Sequence, residues 1–418
     1  MKTTHGLLLA LGAAALATTA GDAAAQRNRG GRGTESLPQV TCASGANPGT
    51  AGTYAIAAQG AYNRTMIPGL PPAQKQGFYQ QAYDQASQGM TTDANNPFNA
   101  FLAAQASVGL GNVARADSLF KKTVQLCPEF AQEVTTASAS LAEQAMEAAR
   151  VALVERNDTT AAIAGWTLAA QLDSTNVDAN FYAGYFSLVK GDNDRAMPVF
   201  RRILAMPAPA ATDTNGIERR DVAVRAMLGY GGQLFNQDRS AQAVDVLSAV
   251  RAADPQNHDA VYWTALALYK LQRWSDLAPV TQRVVELGPL NYNAFMLLHD
   301  AHKSMADAAK AQNNTALETQ RRQAAVQAST AGSALPVQME SVQLSTNGTT
   351  TTVRGTVSGG AAAAGTAVRV EFILSTPGGD VGTGTVNIAA PAQGATATFE
   401  LPVQVTAGPT GYRYRLAR

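Results

Sequence analysis

The chain is poor in aromatic residues, histidine, cysteine and net charge, and each scarcity removes a class of protein. Aromatics make up 6% of its 418 residues while alanine is abundant, a balance that suits closely packed helices more than an aromatic-rich enzyme core. Formal net charge is +1, so electrostatics alone do not point to nucleic acid. Beyond the first residues no stretch approaches eighteen uninterrupted apolar residues, so no transmembrane segment is expected in the mature chain. After His5 only His258, His299 and His302 remain. His299 and His302, three apart with Asp300 between them, could set two imidazoles on one helix face as metal ligands. No third ligand and no HExxH motif accompanies them, so both read as polar surface residues and no metal or cofactor is expected. A G-x-S-x-G elbow, a P-loop and a dinucleotide fingerprint are also missing. Gly229-Tyr230-Gly231-Gly232 falls inside a helical pattern, and Gly382-Thr383-Gly384 falls in a strand or hairpin with no helix after it. Catalysis is therefore not expected.

The N-terminus has the order of a secretory signal peptide: Lys2, an apolar run from Gly6 to Ala17, then Ala23-Ala24-Ala25, which places cleavage before Gln26. That run is shorter than the ~20 residues a spanning helix needs. Residues 1–25 are expected to direct export, to the periplasm, the cell envelope or the exterior. An oxidising compartment permits a bridge between Cys42 and Cys127, although spacing leaves two separate thiols equally open. Residues 26–50 are rich in Gly, Arg, Ser, Pro and Asn and read as a flexible leader, with Arg27, Arg29 and Arg32 as solvated charges.

From residue 51 to 333 apolar residues recur at spacings of three and four, punctuated by Gly, Asn, Asp and Pro. A longer period overlies this one. Pro255 and Pro289 are 34 residues apart and close similar phrases; Ala162 and Ala196, and Trp166 and Phe200, repeat the interval. Small residues, a large apolar residue and a helix-stopping Pro recur together: Ala104, Gly111, Ala116, Phe120, Pro128; then Ala162, Trp166; Gly184, Ala196, Phe200; Gly231, Ala243, Leu247, Pro255; and Ala265, Leu268, Pro289. In this the chain resembles the tetratricopeptide (TPR) family, whose unit is a 34-residue helix–turn–helix. Two departures stand out: Ser174 where the terminal Pro is expected, and Leu277 where a small residue is. Insertions near 129–142 and 207–222 stretch the period; the first reads as a lengthened helix pair and the second as an exposed loop. Residues 53–63 and 72–89 read as a capping pair and 291–331 as a polar terminal pair.

After Leu335-Pro336 the period changes to two. Alternating runs at Val337–Leu344, Thr352–Val357, Val368–Leu374, Val381–Ile388, Thr396–Val405 and Tyr412–Leu416 are separated by Gly, Asn and Pro. Residues 336–418 are expected to form an Ig-like antiparallel β-sandwich, and they loosely resemble the small FxLYD-type bacterial sandwich domains. The expected fold is thus mainly α, a TPR-type α-α superhelical solenoid followed by a small β-sandwich.

The TPR resemblance implies a partner-binding role, in which the first helix of each unit lines a concave face. Carried over by position, the facing residues are Phe181 and Tyr185, Arg225 and Phe235, Tyr262 and Tyr269, then Asn293 and Lys303. Rings flanked by Arg, Asn and Lys suit a protein or peptide ligand. The expectation is an exported TPR scaffold mediating protein–protein or protein–peptide interaction. The alternatives are a binder or assembly factor for envelope polysaccharide or peptidoglycan, and a secreted protein whose sandwich is a sorting domain.

Overall fold

A computed structural model describes Pro38 and residues 40–42, 52–210 and 212–417. The expected signal peptide and the arginines of the leader lie outside the described residues. The chain separates into two compact units, one ending at Asp192 and the other beginning at Asn193.

The N-terminal unit holds seven helices: α1 (Thr53–Arg64), α2 (Pro72–Thr92), α3 (Pro97–Gly109), α4 (Val113–Leu126), α5 (Ala131–Val154), α6 (Thr159–Leu172) and α7 (Val177–Val189). The C-terminal unit holds α8 (Asn193–Ala205), α9 (Thr214–Asn236), α10 (Ser240–Ala253), α11 (His258–Lys270), α12 (Trp274–Leu287), α13 (Tyr292–Ala311) and α14 (Thr315–Ser333), followed by six strands. Local chemistry sets many of the starts. Asn96, Asn112, Asp158, Asn176, Asp213, Asn257, Asn291 and Asn314 each accept a backbone N–H from the first turn of the helix that follows, a cap worth about 1 kcal/mol. Pro72 and Pro97 open α2 and α3, where the missing N–H is no loss.

The turns reveal the repeat more clearly than the helices do. Two residues before α4, α6, α8, α10, α12 and α14 the chain takes a left-handed φ: Gly111 (76°), Asn157 (52°), Gly191 (79°), Asp238 (60°), Gln272 (54°) and Asn313 (56°). In five of the six, the next N–H reaches back five residues to a helical carbonyl: Asn112 to Ser107, Asp192 to Ser187, Arg239 to Leu234, Arg273 to Leu268 and Asn314 to Ala309. This is the Schellman stop, which satisfies carbonyls orphaned at a helix end and reverses the chain. Within each unit, helices pack on their sequence neighbours and also on the helix two places on: α1 on α3 and α3 on α5, then α9 on α11 and α11 on α13. That stacking is the solenoid pattern. The residues named for it are buried: Ala116, Ala162, Ala196 and Ala243 with Phe120, Trp166, Phe200 and Leu247. Leu277 is buried as well, so the larger side chain is absorbed rather than expelled.

The two insertions divide differently. Residues 131–154 form one 24-residue helix after a short 3-10 turn at Pro128–Phe130, as a lengthened pair requires. The segment from Pro207 to Glu218, expected to be an exposed loop, is helical from Thr214 onward, because Asp213 caps it by accepting from the Gly216 N–H. Val222, Ala223 and Val224 are then buried on α9.

The strands are β1 (Val337–Asn347), β2 (Thr350–Gly359), β3 (Ala367–Thr376), β4 (Gly379–Ala389), β5 (Thr396–Gln404) and β6 (Gly411–Leu416). They form two three-stranded antiparallel sheets, ordered β1-β2-β5 and β4-β3-β6. Alternation decides the faces: on β3, Val368, Val370, Phe372 and Leu374 point inward while Arg369 and Glu371 do not. Phe372 meets Phe399 across the two sheets, ring centroids 5.5 Å apart. Leu290 and Phe295 of the helical region belong to the same core.

Candidate functional site

The corners that carry the repeating Pro255 and Pro289 are where the sandwich docks. At the first corner Asn257 has two tasks. Its Oδ1 accepts from the Ala260 N–H and caps α11, and its Nδ2 donates to the Thr410 carbonyl at 3.0 Å. The Thr410 hydroxyl donates to Asp254 Oδ2 at 3.2 Å. Burial raises the Asp254 carboxyl above its ordinary range, against the donors that favour its charge. In the first turn of α11, Asp259 Oδ1 accepts from the Tyr412 hydroxyl at 2.8 Å. His258, 4% exposed, stacks on Tyr412 at 5.2 Å and lies 5.8 Å from the Tyr414 ring. At the second corner the Met339 N–H donates to the Leu290 carbonyl at 2.8 Å.

Close approach here depends on Gly288. A Cβ on it would lie 2.8 Å from His258 Nε2 and 2.9 Å from Tyr414 Cζ. Its φ of −147° is open to any residue, so the constraint is space alone.

The residues expected to line a groove occupy three settings. Phe181 and Tyr185 are buried, 6% and 3% exposed, and stack on each other at 5.7 Å beside Tyr182 and Phe186. They touch Tyr182 and Phe186 edge-on, and those two rings in turn stack on Trp166, so Phe181 and Tyr185 sit one position round α7 from the Trp166 cluster. Arg225 and Tyr262 meet the sandwich region: Arg225 Nη1 donates to the Gly408 carbonyl at 3.4 Å, and Tyr262 stands with Asn293 against β1. Phe235, Tyr269, Asn293 and Lys303 retain accessible surface. Phe235 packs edge-on against Trp263 with the Lys270 ammonium 4.3 Å above its ring. Tyr269, 37% exposed, donates to Asp300 at 3.2 Å, and the Asp300 charge holds the phenol's pKa above its ordinary value, which disfavours its ionisation.

Cys42 and Cys127 are joined as a disulfide, with Cα atoms 5.4 Å apart, in a core shared with Phe98, Phe101 and Phe130. His299 Nδ1 lies 3.0 Å from the Ala325 carbonyl, which makes that nitrogen the protonated one. His302 is half-buried and its burial lowers its basicity. Among the described residues no helix is long and apolar enough to cross a membrane. Sequence reasoning missed Asp254, Asn257, Asp259 and Thr410 as docking residues. The sequence signal there, Pro255 closing a repeat phrase, marks a helix stop and says nothing of a distant partner.

No family model matches the chain and no curated protein matches it. Solved structures that align with it include MamA 41-end from Desulfovibrio magneticus RS-1, at 16% identity over 47% of this chain and 95% of that one, TM-score 0.21. The P58(IPK) TPR domain aligns at 12% identity over 60% and 94%, TM-score 0.20. YrrB, described as a TPR protein with an unusual peptide-binding site, aligns at 15% identity over 48% and 91%, TM-score 0.19. At such TM-scores these alignments carry no argument, and the repeat architecture stands on the turns and helix stacking described above.

Proposed function

We propose that the chain is an exported, non-enzymatic TPR-type scaffold that holds a protein or peptide partner in the periplasm or cell envelope. The observation that carries this reading is the succession of six equivalent turns and, within each unit, helices stacked at one and two places, an arrangement that presents the first helices of that unit side by side. Tyr269, Phe235 and Lys303 are the accessible groove candidates on that row. Export is supported by the order of residues 1–25, and the Cys42–Cys127 bridge fits an oxidising compartment. The strand order of the two sheets supports an Ig-like reading of the sandwich. A core shared with Leu290 and Phe295 weighs against a sandwich that is removed after export.

Photo-crosslinker placed at Tyr269 or Lys303 in the producing cell, followed by mass spectrometry, tests the scaffold. A recurrent adduct with one protein or peptide is expected; no adduct at either position rejects the reading. The same spectra report the N-terminus, expected at Gln26.

A further inference from the structure

Beside the docking contacts in the C-terminal unit is a cleft that they do not fill. Tyr262 and Trp263 of α11, Asn293 of α13 and Glu340 to Gln343 of β1 wall it, and its volume is about 230 Å3. Pockets for whole small molecules run from about 300 to 1,000 Å3, so this one is sized for a single side chain of a larger ligand. Its charge is one-sided: the lining includes the carboxylates of Asp259 and Glu340 and no Lys or Arg. Burial raises the pKa of the Tyr262 phenol, against the hydrogen bond from Asn293, and the charges of both carboxylates add to the rise, so the ring keeps its proton. Aromatic faces beside two carboxylates form a setting that favours a cation. Buried His258 also lines the cleft, and its Nε2 has no hydrogen-bond partner among the described residues.

The third wall supplies a different kind of recognition. β1 is an edge strand, paired with β2 on one side and with no strand on the other among the described residues. Its register slips between Met339 and Ser341, so Glu340 sits at a bulge, and Glu340, Ser341 and Gln343 are exposed. The Leu290 carbonyl takes the Met339 N–H, and from Glu340 onward the edge has no strand beside it among the described residues, which makes that stretch a template for another extended chain.

We propose that this cleft takes the Lys or Arg side chain of an extended peptide segment that pairs along the free edge of β1. The inference rests on the scaffold reading and locates a binding site apart from the helix-lined groove. Selection of a displayed random dodecapeptide library on the full chain tests it. Enriched peptides are expected to carry a basic residue at one fixed position within an alternating pattern. The best of them, synthesised, should bind at least tenfold more weakly to the Glu340→Lys variant, and should lose binding when its basic residue becomes Glu. Glu340 is exposed and its one side-chain hydrogen bond is to Ser358, so the variant should keep the parent melting temperature. No enrichment, enrichment without a basic residue, or binding indifferent to Glu340→Lys overturns the cleft. The scaffold reading falls only if the crosslinkers at Tyr269 and Lys303 also capture nothing.

Discussion

Gln272 occupies a left-handed backbone position that Gly111 and Gly191 fill in equivalent turns. A side chain there costs about 1–2 kcal/mol relative to the right-handed form. Gln272→Gly should therefore stabilise the C-terminal unit by about 0.5–1 kcal/mol, while Gly111→Ala should destabilise the N-terminal unit by about 1 kcal/mol, both read by denaturant titration. Equal and unsigned effects at the two positions would refute the turn equivalence. Asp221 on α9 gives a second residue-scale outcome. It is buried, its Oδ1 has no hydrogen-bond partner among the described residues, and burial pushes its carboxyl up to about 7, with Arg225 opposing and Asp254 reinforcing. A carboxyl raised on folding favours the folded state below its unfolded value, near 4. That advantage is lost as pH rises through about 7. The C-terminal unit should thus be less stable at pH 8 than at pH 5, by up to about 2.5 kcal/mol from this group. Asp221→Asn should flatten that dependence; a profile unchanged in the variant would assign the effect elsewhere.

At the scale of elements, β6 is held to α11 by few but directed contacts. Tyr412→Phe removes the hydroxyl that donates to Asp259, and should cost about 1–2 kcal/mol because a half-buried carboxylate keeps only partial solvation. Gly288→Val should do more, since its Cβ would enter the space between His258 and Tyr414. The expected result is an undocked sandwich, cleaved by protease around residues 334–336 while the helical circular dichroism persists. Resistance equal to the parent chain would mean that the corner relaxes and Gly288 is not a spacer.

Over the whole molecule, the two units should respond separately to reduction. The Cys42–Cys127 bridge closes a loop with a sequence separation of 85 residues inside the N-terminal unit. The chain-entropy model assigns such a loop about 4–5 kcal/mol. Reduction should lower the N-terminal transition in calorimetry and leave the C-terminal one in place; a common shift of both would show that the two units unfold together.

Helices, strands and the order of classes were legible because their signals are local. Apolar spacing of three and four, Asn and Asp caps, and Pro at corners act within a few residues, and the six strands fall where alternation and Gly-Pro breaks put them. The start of α9 escaped because one Asp213 cap extends a helix through a segment that composition marks as loop. Gln272 and Asp238 escaped because their residue types do not announce a left-handed turn as Gly does. Phe181 and Tyr185 show the limit of carrying positions over from a motif: register alone cannot say whether a ring faces a partner or a neighbouring ring. Sequence by itself determined the repeat period and the switch to β structure. Only the tertiary structure decided that the repeat corners receive the sandwich. Asn257 meets Thr410 across 153 residues, and no periodicity in the chain records a fit between surfaces so far apart.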